Sequence, residues 1–130
     1  MFNFIVGSAT PFVGKNPGFS LFTLDKNYLL PINIDTYYMD LPAANLAGHI
    51  TWEKLHDFLN YYELTDMSPR SMLQASDKMM NDAEYALKYA RMRDKLGPGH
   101  YFKIAEHENC DFECKRFLHC ETSTSDYKEW

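Results

Sequence analysis

The stretch that decides the fold runs from Phe2 to Asp25. It opens with Phe2-Asn3-Phe4-Ile5-Val6, continues through Gly7-Ser8-Ala9-Thr10-Pro11-Phe12-Val13-Gly14-Lys15-Asn16-Pro17-Gly18, and closes with Phe19-Ser20-Leu21-Phe22-Thr23-Leu24-Asp25. Two runs rich in β-branched and aromatic residues flank a loop punctuated by glycine and proline, the pattern of strand, shaped loop and strand. Within the loop, Asn16-Pro17-Gly18 reads as a type II turn. Pro17 fixes φ at the second position, and Gly18 accepts the positive φ of the third without a Cβ clash. A loop this constrained, yet carrying the exposed-type groups Ser8, Thr10, Phe12, Lys15 and Asn16, can present side chains at fixed positions from a rigid scaffold. A plain β connection is the alternative.

Working outward, Lys26-Asn27 is a hairpin turn and Tyr28 to Met39 a third extended segment. There Ile32, Ile34 and Thr36 alternate with Asn33, Asp35 and Tyr37, a period of two. Pro31 belongs at a strand start or edge, since it cannot donate to a ladder. The strands make an antiparallel meander that Leu41-Pro42-Ala43-Ala44-Asn45 closes.

After Gly48 the period changes. Trp52, Leu55, Leu59 and Tyr62 lie on one face of a helix that Thr51 would cap. Ser68-Pro69 starts a second helix, with Met72, Leu73, Ser76, Met79 and Met80 turned inward. Asn81 or Asp82 opens a third, running to Leu96 with Tyr85, Tyr89, Met92 and Leu96 inside and Glu84 paired to Lys88. Gly97-Pro98-Gly99 ends it. A short helix near Cys110 to Leu118 precedes a polar tail, Glu121 to Trp130, with no expected structure. Strands first and helices afterwards make an α+β chain. Residues 1–45 form the strand part with its loop, 46–120 a small helical subdomain and 121–130 a flexible tail.

The 130 residues, 45% hydrophobic and 15% aromatic, suit one globular domain or a part of one. The net charge of −5 comes from 13 basic and 18 acidic groups, with only 3 of the basic ones among residues 1–67. That balance disfavours a nucleic-acid partner. No run is long and apolar enough for a transmembrane segment, and Met1 to Ala9, with no basic residue before Lys15, is a poor signal peptide.

The histidines (49, 56, 100, 107 and 119) offer no spacing for a metal pair. A two-metal hydrolytic site holds its ions ~3.5–4 Å apart within many ligands, and His-x-His, Asp-x-His and His-Glu-x-x-His are all missing. Ordinary surface or core histidines are the plainer reading of His49 and His56. The cluster His107, Cys110, Cys114, His119 and Cys120 has zinc-ligand chemistry. A Cys110–Cys114 bridge is favoured over zinc, because cysteines four apart on a helix lie within disulfide reach. Three cysteines then leave a free thiol or a missing partner. There is no nucleophile elbow and no phosphate-cradling glycine loop, so the residues by themselves name no catalytic group and no cofactor.

Several of these stretches taken together resemble the C-terminal region of the acid sphingomyelinase family, which includes the acid-sphingomyelinase-like phosphodiesterases. The resemblance rests on Ser8-Ala9-Thr10-Pro11-Phe12-x-Gly14-x-Asn16-Pro17-Gly18-Phe19, on Asp25, on Asp35-x-Tyr37-Tyr38-x-Asp40-Leu41, and on Asn45, Trp52 and Tyr62-Glu63-Leu64. The spacing of Cys110, Cys114 and Cys120 also looks like theirs.

What the resemblance implies is the C-terminal fragment of a calcineurin-like metallophosphoesterase. The missing N-terminal catalytic core would be its partner and would hold two zinc ions, with a phospholipid such as sphingomyelin or a nucleotide as the parent's substrate. The strands would form an edge of the metallophosphatase sheet and the helices would wall the substrate cleft. Thr10, Phe12 and Asn16 would border that cleft, with Phe12 nearest the phosphodiester and Thr10 and Asn16 holding the loop's shape. The family's bridge carries over to Cys110–Cys114, whereas Cys120 lacks its later partner. Such proteins are extracellular or lysosomal. The alternative is a stand-alone, non-catalytic secreted binding module of the same fold, and a third reading is a small hydrolase using His49 and His107.

Overall fold

A computed structural model describes Phe4 and residues 7–11, 14–97 and 109–123, and in them strands precede helices, as the α+β reading expects. Strands β1 (Gly18–Leu24), β2 (Pro31–Tyr38) and β3 (Glu53–Asp57) form an antiparallel sheet in that order. The period of two in β2 holds in part: Ile34 and Thr36 are buried on one face, while Ile32 is exposed. The Ser20 and Thr36 hydroxyls meet there at 3.2 Å. On the other face Phe19 stacks on Tyr37 and meets the edge of Trp52, each at 5.2 Å. The expected hairpin turn holds because the Asp25 carboxylate accepts the amides of Asn27 (2.9 Å) and Tyr28 (2.8 Å). The strand expected over Phe2–Val6 lies outside the described residues apart from Phe4.

Several expectations fail, two of them for reasons that the hydrogen bonds identify. Gly18 has no positive φ and is the first residue of β1, paired with Tyr38; the left-handed glycine of this loop is Gly14, at φ 74°. The backbone at Pro17-Gly18 is drawn straight by two bonds, Gly18 N–H to the Ser8 carbonyl (2.9 Å) and Met39 N–H to the Pro17 carbonyl (3.0 Å). Nor is Trp52–Tyr62 one helix. β3 pairs with β2 up to Asp57, whose carboxylate then accepts the Asn60 amide at 3.0 Å and starts a helix of five residues, α2 (Phe58–Tyr62). An open ladder on β2 outweighs an apolar spacing that fits either structure.

Helix α1 (Leu41–Ala47) occupies the stretch read as closing the strands. Asp40 caps it through the Ala43 amide (2.9 Å), and Gly48 ends it at φ 72°. Helix α3 (Pro69–Asn81) starts where Ser68-Pro69 predicts, and Asp82 caps α4 (Ala83–Arg93) through the Glu84 and Tyr85 amides. Helix α5 (Phe112–Ser123) runs beyond Leu118 into the stretch read as tail. Leu73 and Leu96, expected inside, are exposed. Lys88 reaches Glu63 (3.3 Å) rather than Glu84.

The core lies among α3, α4 and α5. Ala86 and Ala90 are fully buried, and their small side chains let Met79, Leu87 and Leu118 close over them. Tyr85 buries its ring and donates its hydroxyl to the Tyr62 carbonyl at 2.9 Å, tying α4 to the end of α2. Cys110 and Cys114, both buried, are joined by a disulfide with Cα atoms 5.3 Å apart, and Cys120 is a free thiol.

Two predictions follow from this core. Burial first, then Glu63 and Asp82, pushes the Tyr85 hydroxyl up to about 12; burial and Glu121 do the same to Tyr89. A tyrosine in the unfolded chain titrates near about 10. The contribution is therefore full below that pH and is lost as pH rises through the folded values. Denaturation midpoints should fall across that window, with the 295 nm tyrosinate absorbance rising as ellipticity disappears, and Tyr85→Phe should shrink the late absorbance step. Secondly, Cys110 and Cys114 are four apart in sequence, and a loop so short contributes about 2 kcal/mol by chain entropy. Reductant should lower the unfolding free energy obtained from urea denaturation by about that much, and should have no such effect on a Cys110→Ser/Cys114→Ser chain.

Candidate functional site

Between the buried face of the sheet and the C-terminal end of α4 lies a cavity of about 470 Å³. Its floor is a row across the strands: Ser20, Thr36 and His56 share one cross-strand register. One wall is apolar, built by Phe58 and Tyr62 of α2 and by Tyr89 and Met92 of α4. The loop residues Gly7, Ser8, Thr10, Lys15 and Asn16 also line it, and Thr10 and Asn16 are among those that the resemblance expects at a cleft border.

Asn16, expected as an exposed-type group of the loop, is buried, and its side-chain nitrogen, side-chain oxygen and backbone amide are all engaged. Its Nδ2 donates to the Lys95 carbonyl at 2.9 Å, its Oδ1 accepts the Leu41 amide at 3.2 Å, and its own amide reaches the Asp94 carbonyl at 3.3 Å. One side chain thus fastens the loop to the end of α4 and to the start of α1. Thr10 is exposed, with its hydroxyl 2.7 Å from that of Ser8 and its amide donating to the Ser8 hydroxyl at 3.1 Å. Phe12 lies outside the described residues.

Two further groups of the cavity escape sequence reasoning. Lys95 follows α4 with φ 50°, and only 5% of the residue is exposed. A lysine just past a helix end ordinarily reads as a solvated partner of the helix dipole, so no local signal marks it as buried. Its side chain runs between two glycines: a methyl group on Gly18 would collide with its Cδ and Cε, one on Gly7 with its Cε and Nζ. Burial and the charge of Lys15 hold its pKa below the ordinary lysine value, with Asp94 opposing them. His56 stacks on Tyr61 with ring centres 5.2 Å apart, and its Nδ1 is buried without a partner among the described residues. Burial lowers its pKa against the pull of Asp57 and Asp35, which favours the neutral ring.

The other histidines do not join this site. His49 is exposed, its Nδ1 3.3 Å from the Ala47 carbonyl. His119 Nδ1 lies 3.0 Å from both the hydroxyl and the carbonyl of Ser76, between α3 and α5. His107 lies outside the described residues. Among the described residues no three His, Cys, Asp or Glu side chains converge on a point where they could hold a metal ion.

Asn16→Ala removes the partners of the Lys95 carbonyl and the Leu41 amide, and leaving such groups unsatisfied costs about 2–3 kcal/mol in all. Asn16→Asp keeps an acceptor for Leu41 but has no donor for Lys95. Chemical denaturation should therefore rank Asn16→Ala and Asn16→Asp both well below the parent chain, whereas Thr10→Ala on the exposed rim stays within about 0.5 kcal/mol of it.

The sequence matches the acid sphingomyelin phosphodiesterase C-terminal region over residues 3–130. It is similar to sphingomyelin phosphodiesterase B of Dictyostelium discoideum, 33% identical over 81 residues that cover 58% of this chain and 13% of that protein. It is similar to the cyclic GMP-AMP phosphodiesterase SMPDL3A of Homo sapiens, 27% identical over 109 residues, 82% of this chain and 22% of the other. The sphingomyelin phosphodiesterase of Homo sapiens is 29% identical over 86 residues, covering 62% of this chain and 14% of the relative. The chain thus spans about an eighth to a quarter of the length of these curated relatives. By the match over residues 3–130, the chain belongs to the acid sphingomyelin phosphodiesterase C-terminal region family.

Proposed function

We propose that this chain is the C-terminal part of an acid-sphingomyelinase-like phosphodiesterase and that its own role there is structural. Its strands continue the sheet of a catalytic core, its helices wall the substrate cleft, and the loop that Asn16 pins presents the cleft border. The parent hydrolyses a phosphodiester, sphingomyelin or a nucleotide, and works outside the cell or in the lysosome. The observation that carries this reading is the surface of β1 and the hairpin after it. Leu21, Phe22 and Leu24 on β1, Leu29 and Leu30 in the turn and Ile32 on β2 are all exposed. Among the described residues β1 is an outer strand of the sheet. An apolar edge strand of this kind is a surface that another part of a protein covers.

The parent's chemistry rests on two zinc ions, which supply an activated water and a Lewis acid when bound. The donor set described in this chain does not fit them, and no step is assigned to its residues. The ligands belong to the core. What this chain supplies is the border, the loop that carries Ser8, Thr10 and Asn16, with Phe12 assigned to it by the resemblance alone. No described helix is long and apolar enough to cross a membrane.

The test is a chimaera in which this chain replaces the matching C-terminal segment of Dictyostelium sphingomyelin phosphodiesterase B. Zinc-dependent turnover of bis-p-nitrophenyl phosphate should return relative to the enzyme lacking that segment, while this chain alone turns over none. Chelator-sensitive turnover by the chain alone, or a chimaera no better than the truncated enzyme, would overturn the reading. On its own the chain should bind anilinonaphthalene sulfonate, and Phe22→Lys/Leu24→Lys should reduce that binding severalfold.

A further inference from the structure

His56 sits at the joint between the sheet and the helices. It is the last residue but one of β3 and pairs with Thr36 of β2. Its ring stacks on Tyr61 at 5.2 Å and meets the edge of Tyr62 at 6.0 Å, both on α2. Nδ1 is buried and finds no hydrogen-bond partner among the described residues, whereas Nε2 is not enclosed in that way. A neutral imidazole carries one N–H and one bare lone pair, while an imidazolium carries an N–H on each nitrogen. A lone pair at Nδ1 is merely an idle acceptor. A proton there would be the buried donor of a charged ring with nothing to receive it, the costlier case. The packed arrangement therefore fits the neutral ring with its proton on Nε2.

The charged groups around the ring do not remove that cost. On β3, Asp57 attracts a positive ring and Lys54 repels it; on β2, Asp35 attracts it. Both acids are already engaged, Asp35 by Lys54 at 2.8 Å and Asp57 by the Asn60 amide at 3.0 Å and the Asn33 side chain. On α2, Tyr61 and Tyr62 offer neutral rings. Tyr61 already has the Lys88 ammonium 4.6 Å from its ring centre, which makes it a poor host for a second cation. Elsewhere around the cavity, Lys15, Arg93 and Lys95 stand against Asp94 and Glu121, three cations to two anions, beside the neutral Tyr89. Burial thus outweighs the two acids beside the ring and lowers its pKa.

Phe58 and Tyr62 of α2 wall the cavity whose floor His56 shares, so a ring that leaves Tyr61 moves that wall. We propose that His56 is a proton-operated catch: neutral, it closes the sheet on α2, and once protonated it turns out to water and frees α2 from the sheet. The catch works in mild acid, before the Asp57 cap is lost, because the Asn60 amide and Asn33 hold that carboxyl below the ordinary aspartate range. An unfolded histidine titrates near about 6.5. With the folded value lower, the stability that the neutral ring contributes is full above that pH and is lost as pH falls through the folded value.

The test is NMR of the full 130-residue chain labelled with 15N and 13C. At neutral pH the two-bond 15N pattern of His56 should be that of the Nε2–H tautomer. On acidification its midpoint should lie below about 6.5, and the ring signals of Phe58 and Tyr62 should move with that same midpoint. Between the unfolded and folded values, the unfolding equilibrium constant should rise by up to about tenfold per pH unit more than in His56→Phe, which keeps a stacking ring and takes up no proton. His49→Gln, at an exposed histidine, should leave all of this unchanged. An Nδ1–H tautomer, a midpoint at or above the ordinary value, or Phe58 and Tyr62 signals indifferent to it overturns the proposal. An acid step of equal size in His56→Phe overturns it too. Should that variant not fold, the tautomer and the shared midpoint of the parent chain decide alone.

Discussion

The structure turns on one buried amide. The two chain segments that meet at Asn16 are 79 residues apart, and neither is regular: one is the loop before β1, the other the three-residue exit from α4. Irregular backbone can be buried only if its polar groups find partners. Asn16 is the one residue type whose short side chain carries both a donor and an acceptor at the distance needed. Gly97 completes the junction, because a Cβ there would strike the carbonyl oxygen of Gly14. The two loops touch backbone to backbone, and this contact sets the cavity's shape by bringing Lys95 beneath Gly7 and Gly18.

Local chemistry wrote the helix starts plainly enough to be read. Ser68 before Pro69, and Asp82 before an apolar face, each offer an oxygen to amides that would otherwise be orphaned. The alternation of β2 was legible in part, as was the hairpin turn at Lys26-Asn27. What failed depends on neighbours distant in sequence. Glu53–Asp57 is a strand only because β2 presents an unsatisfied edge, and Gly18 is a glycine because of Lys95 and not because of a turn. The site divides the same way. Thr10 and Asn16 lie on the loop that glycines and prolines mark in the sequence, whereas Lys95 and His56 line the cavity through burial that tertiary contact alone creates.

Glu63 explains how sheet and helices are joined. It ends α2 with φ 58° and gathers Lys78 of α3 (3.0 Å) and Lys88 of α4 (3.3 Å) around one carboxylate. Those two ammoniums also lie over the rings of Tyr85 (4.4 Å) and Tyr61 (4.6 Å), so their stems cover aromatic surface. Each contact is exposed and weak alone. Together they fix the direction in which the chain leaves α2, and so the angle of the apolar cavity wall.

The bridging segment Phe58–Glu63 is flanked at each end by a carboxylate that works as a latch. Asp57 grips the Asn60 amide and the Asn33 side chain, and Asp66 grips Ser68 and Ser71; these bonds hold both acids below the ordinary aspartate range. Their grip persists in mild acid and slackens only once protons reach those lowered values. Protonation of Asp57 and Asp66 in strong acid would release the Asn60 amide, the Asn33 side chain and the Ser68 and Ser71 groups they hold, and so loosen the segment that joins the sheet to the helices.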